Sequence, residues 1–168
     1  MSRAFVKEPD GEEAEEHLPL RSPSPYPNYL TTRGFSLLKS RLQALVEERG
    51  RLDFPEADLT ARTHLKQVER DIRTLEESLQ RAIVVDPRQQ SRDDVRFGAV
   101  VKVMGEDQQS HEFTIVGEEE ACAPKGLISW ISPLAKALLG KRVGDTVVWD
   151  RPAGSLELEI VSFHYPED

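Results

Sequence analysis

Few residues in this chain have the type and spacing to do chemistry, and most of them stand between two amphipathic segments. Asp53-Phe-Pro-Glu56 sets two carboxylates three apart, a spacing that on a helix turns both the same way, and Asp58 follows two residues later. Each acid also has a structural reading: Asp53 as a helix N-cap with Glu56 completing the cap, and Asp58 at the positive end of a helix dipole. A second candidate is Ile131-Ser132-Pro133-Leu134, where Ser-Pro begins a short apolar helix at a surface loop. His17, His64, His111 and His164 are scattered without metal-ligand spacing, and neither a phosphate-cradling glycine loop nor a nucleophile motif is present. One cysteine, Cys122, excludes an internal disulfide and a cysteine metal cluster, which suits a reducing cytoplasm.

The elements that must position these residues follow from periodicity. Phe35, Leu38, Leu42, Leu45 and Leu52 form one apolar seam, and Leu65, Val68, Ile72, Leu75, Leu79 and Ala82 form another. Laid antiparallel as mirror images, they pair Phe35 with Ala82, Leu38 with Leu79, Leu42 with Leu75, Leu45 with Ile72 and Leu52 with Leu65. Arg49 then breaks the seam opposite Val68, and the turn falls near Asp58. A second register stops the first helix at Gly50, caps the next with Asp53 and turns near Arg51. In either register the tip lies between Gly50 and Thr60.

Downstream the period changes to that of strands. Val95–Met104, His111–Val116, Ile128–Ile131, Asp145–Asp150 and Ser155–Phe163 have strand character, with alternation as in Leu156, Leu158 and Ile160. The fold class expected is α+β: an antiparallel coiled-coil hairpin over 30–86, a linker over 87–94, and an antiparallel sheet with one short helix over 95–164. Residues 1–29, rich in acids and prolines, are expected to be a disordered tail.

Composition narrows the partners. The chain has 168 residues, 31% charged and 38% hydrophobic, with a net charge of -8. That charge argues against independent nucleic-acid binding, which needs a basic stripe. No apolar run approaches the ~18 residues of a membrane helix, so a cytoplasmic protein is expected.

The downstream motifs resemble the C-terminal domain of the bacterial Gre transcript-cleavage factors and their Rnk relatives. Phe97-Gly98-Ala99, Ile115-Val116-Gly117-Glu118, Ser132-Pro133, Ala135, Ala137-Leu138, Gly140, Val143-Gly144-Asp145 and Pro152-Ala153-Gly154 carry the likeness. It covers about Thr31 to Phe163 and implies an FKBP-like domain and a monomer that binds core RNA polymerase at its secondary channel. DNA and RNA would be reached only through the polymerase. Ile131, Ser132, Pro133 and Leu134 would lie on the gripping face, with Ile131 where some relatives carry an acid, while Ala135, Ala137 and Leu138 pack beneath. The resemblance makes Asp53, Glu56 and Asp58 candidates to assist the polymerase's own Mg²⁺, an ion that favours hard oxygen ligands, so no stably bound cofactor and no intrinsic enzyme activity are expected.

The match at the tip is incomplete. Asp53-Phe54-Pro55-Glu56 keeps a carboxylate spacing without the family's neighbouring Leu and Asn, and Asp58-Leu59 is followed by Thr60-Ala61-Arg62 instead of the family's Glu and Asn. The arm also reads as one heptad short per helix, roughly 10 Å, which is a Rnk-like trait, as are Trp149 followed by an acid and Pro152. Stimulated cleavage of backtracked RNA and simple occupancy of the channel are therefore competing expectations. A prolyl isomerase or chaperone module is the rival from another class, resting on fold likeness alone.

Overall fold

The computed structural model describes residues 24–54 and 58–167. Strand β1 (Asn28–Thr31) leads into α1 (Thr32–Leu52), and α2 (Leu59–Arg81) returns into β2 (Ala82–Val85). The fold is α+β, as expected. However, β1 occupies Asn28 and Tyr29 of the segment expected to be a tail, and β2 takes residues that continue the seam of α2. The two strands pair in parallel, Asn28 with Ala82 through Thr31 with Val85, and tie the base of the hairpin together.

The seam differs from the mirrored register. Half-buried or buried positions on α1 run Leu38, Leu42, Leu45, Glu48 and Leu52, while Arg49 is exposed. Glu48 therefore takes the place assigned to Arg49, and its carboxylate meets His64 Nε2 at 2.7 Å, where the mirrored pairing sets it against Glu69. On α2, Val68, Ile72, Leu75 and Ser78 are buried. The second register is also corrected: α1 runs through Gly50, where nothing crowds the backbone. Its last turn carries Arg49 and Arg51, cations suited to a helix C-terminus.

The C-terminal sheet comprises β3 (Val100–Gly105), β4 (Ser110–Val116), β5 (Leu127–Ser129), β6 (Thr146–Arg151) and β7 (Gly154–His164), in the order β5-β4-β3-β7-β6. It is mixed, not wholly antiparallel. After β4 the chain makes two 3₁₀ turns, Glu118–Glu120 and Ala123–Lys125, and β5 re-enters parallel to β4. Such a crossover reverses the chain twice, which a tight hairpin cannot do. Helix α3 (Pro133–Leu138) closes one face, burying Leu134, Ala135 and Leu138 against Val101, Val103, Ile115, Val147, Leu158 and Ile160. A bulge at Val161 lets β7 change register against β3 between Lys102 and Val103.

No helix among the described residues is long and apolar enough to cross a membrane.

Candidate functional site: the hairpin tip and the β5–α3 face

The tip is a short connection whose acids serve the helix ends. Asp53 ends α1, its N–H donating to the Arg49 carbonyl at 3.0 Å, so it is not the N-cap of α2. That cap is Asp58, whose Oδ1 accepts from the Ala61 N–H at 2.8 Å. Asp58 thus satisfies one of the orphan donors of the first helical turn. Both side chains are exposed, beside exposed Phe54 and Leu59. Glu56 lies outside the described residues. Among the described residues no group of three or more His, Cys, Asp or Glu could hold a metal ion.

The second surface is built by the turn from β5 into α3. Ser132 caps the helix, its hydroxyl accepting from the Ala135 N–H at 3.3 Å, and Pro133 stands exposed in the first turn. Ile131 is half-buried. Leu134 differs from the exposed contact expected: only 6% exposed, it packs inward as core. Ala135 and Leu138 are fully buried and Ala137 packs against the core, as expected.

Sequence reasoning missed two arrangements beside this surface. Tyr26 and Tyr29 pack edge-on against Trp130, with ring centres 6.0 and 5.1 Å away, and Lys136 Nζ lies 5.8 Å from the Tyr26 ring. The segment before the hairpin therefore lies on the C-terminal domain beside the start of α3. The other arrangement is a junction. Glu120 Oε2 accepts from the Thr31 N–H at 2.9 Å and Oε1 from the Thr31 hydroxyl at 2.5 Å, while Thr31 Oγ1 caps α1 through the Gly34 N–H at 2.9 Å. Ser78 links Glu119 to Asn28 in the same seam between domains. A Cβ on Gly34 would stand 2.0 Å from Glu120 Oε1, and one on Gly117 would stand 2.0 Å from the Tyr29 carbonyl oxygen. A glycine in the first turn of an otherwise ordinary helix was the one sequence signal of this close approach.

Two shifted acidities accompany these contacts. Hydrogen bonds from the Arg88 side chain and backbone hold the Asp86 carboxyl below its ordinary value. Burial pushes the Tyr165 hydroxyl up.

The described chain is thus a two-helix hairpin joined to a small sheet domain, with Asp53 and Asp58 at the tip and Ser132-Pro133 starting the helix on the domain. The family described as "Transcription elongation factor, GreA/GreB, C-term" matches residues 89–165. Transcription elongation factor GreB of Neisseria meningitidis serogroup B is 36% identical over 153 aligned residues, covering 82% of this chain and 94% of that protein. GreA of Novosphingobium aromaticivorans is 37% identical over 138, covering 74% and 87%. GreA of Nautilia profundicola is 44% identical over 108, covering 64% and 67%. A solved GreA/GreB factor from Nitrosomonas europaea is 25% identical, with a TM-score of 0.42, covering 82% of this chain and 98% of that one. The chain belongs to the Gre family of transcription elongation factors. Its members act as factors upon transcription and are not enzymes themselves.

Proposed function

We propose that this chain binds core RNA polymerase as a monomer, with the β5–α3 face gripping the rim of the secondary channel and the hairpin inserted. DNA and RNA are then met only inside the polymerase complex, and any Mg²⁺ at the tip is the polymerase's own. The output is occupancy of the channel, with cleavage of backtracked RNA stimulated weakly at best.

The observation that carries this reading is the length of the arm. Coverage of 82% of 168 residues is about 138, so about fifteen of the 153 positions aligned with the Neisseria factor have no counterpart here. Coverage of 74% is about 124, leaving about fourteen of the 138 aligned with the Novosphingobium factor. A deficit of that size is what the loss of one heptad from each helix would leave. With the docking face unchanged, the tip acids stop roughly 10 Å short, whereas direct metal ligation requires about 2 Å. Asp58 is moreover committed to its cap.

A prolyl isomerase would need an open aromatic pocket. Phe113 and Trp149 instead pack on each other edge to face at 5.3 Å, with Arg151 over Trp149 at 5.1 Å.

The test is competition against an authentic Gre factor for core polymerase, followed by a cleavage assay on backtracked complexes. Competition without robust cleavage is expected, and Pro133→Asp should weaken binding in a folded protein. Simultaneous independent binding would remove the docking proposal. Robust Mg²⁺-dependent cleavage, lost in Asp53→Asn or Glu56→Gln, would overturn the short-arm argument.

A further inference from the structure

The stretch that carries Pro133 is unusual for a protein of charge -8. From Ala121 to Gly144 the chain has four basic residues, Lys125, Lys136, Lys141 and Arg142, and no acid. All four are exposed, and among the described residues none of them forms an ion pair. Val143, 58% exposed, adds apolar surface. The opposite composition stands at the other end of the sequence: Glu8, Asp10, Glu12, Glu13, Glu15 and Glu16 occupy nine residues without a base. The described chain begins at Ser24, and two residues on, Tyr26 is seated against Trp130 and Lys136. The acidic run is therefore tethered at the edge of the basic face. Ser24 lies eight positions beyond Glu16, a reach of up to roughly 28 Å when extended.

We infer that the acidic segment Glu8–Glu16 docks in cis on the basic β5–α3 face and is a built-in competitor for whatever that face grips. A short tether supplies an effective concentration in the millimolar range, so individually weak surface ion pairs suffice to keep the face covered for much of the time. The consequence for polymerase rests on the docking proposed above: the segment must leave before the rim of the channel can be gripped. The apparent Kd is then the intrinsic Kd divided by the fraction of molecules with the face open, so binding is weakened.

Two measurements on the full chain decide this. Carbodiimide crosslinking at high dilution should join Glu12, Glu13, Glu15 or Glu16 to Lys136 or Lys141 within one chain, and high salt should abolish those links. Links confined to hairpin lysines such as Lys39 and Lys66, links only between chains, or no links at all would overturn cis docking. In the second measurement, a full-length variant with Glu12, Glu13, Glu15 and Glu16 all changed to Gln should bind core polymerase more tightly, roughly tenfold if the closed form outnumbers the open one by that factor. Unchanged or weaker binding of that variant would overturn the competitor role, the weaker case marking the segment as a polymerase contact. Failure of the wild type to bind polymerase would remove the docking proposal while leaving the crosslinking result to decide the cis contact.

Discussion

Glu120 receives both the backbone N–H and the hydroxyl of Thr31, 89 residues earlier in the chain, and so fastens the root of the hairpin to the sheet domain. Thr31 is only 8% exposed, so its N–H has no ready replacement in water. Glu120→Ala should destabilise the protein by on the order of 3 kcal/mol, because it removes two charge-assisted bonds and strands a buried donor. Glu120→Gln should lose less, since one oxygen remains to accept. Urea denaturation of the three proteins checks the ranking.

Gly34→Ala should destabilise despite alanine's better helix propensity, because the new Cβ would displace the Glu120 carboxylate. In a double-mutant cycle with Glu120→Ala the penalty should largely vanish, as the atom it strikes is gone. Additive losses would mean that Gly34 matters for some other contact.

Asp58 separates stability from chemistry at the tip. Asp58→Ala should cost about 1 kcal/mol through loss of the cap, while Asp58→Asn should cost only a few tenths. Thermal unfolding measures both. Any cleavage activity should then be insensitive to Asp58→Asn.

Tyr165 latches the linker to the end of the sheet: its hydroxyl accepts from the Arg96 N–H at 3.1 Å and donates to the Ser91 carbonyl at 2.9 Å. Tyr165→Phe should cost about 1 kcal/mol at neutral pH. Because the folded hydroxyl holds its proton more firmly than the unfolded one, its contribution is full below the ordinary tyrosine value. It is lost as pH rises through the higher folded value. Stability of wild type and variant measured from neutral to strongly alkaline pH should therefore converge at the alkaline end.

How much of this was legible depended on the range of each interaction. Alternation at Leu156, Leu158 and Ile160 revealed β7, and Ser132-Pro133 revealed the start of α3, because each pattern is local. Ala82-Ile-Val-Val85 misled, since four apolar residues after a helix extend its seam as readily as they begin a strand. Glu48 was overlooked as a seam residue because an acid is normally assigned to the wet face, and its partner His64 lies on the other helix. Glu118-Glu-Glu120 reads as a solvated acidic run, and nothing in it reveals that Glu120 turns inward to a threonine 89 residues away. The Leu134 error had a simpler cause: adjacent residues in a helix face different ways, so an exposed Pro133 carries no implication for its neighbour.

The parallel pairing of β1 with β2 makes the arm an adjustable ruler. Whatever lies between Thr31 and Ala82 leaves the base closed by the same four residue pairs, so matched lengths can be added to or removed from the two helices without disturbing the clamp at Glu120. Reach thereby becomes an inheritable dimension independent of grip. A family built on this plan can vary the reach of its members by heptads while every base stays the same.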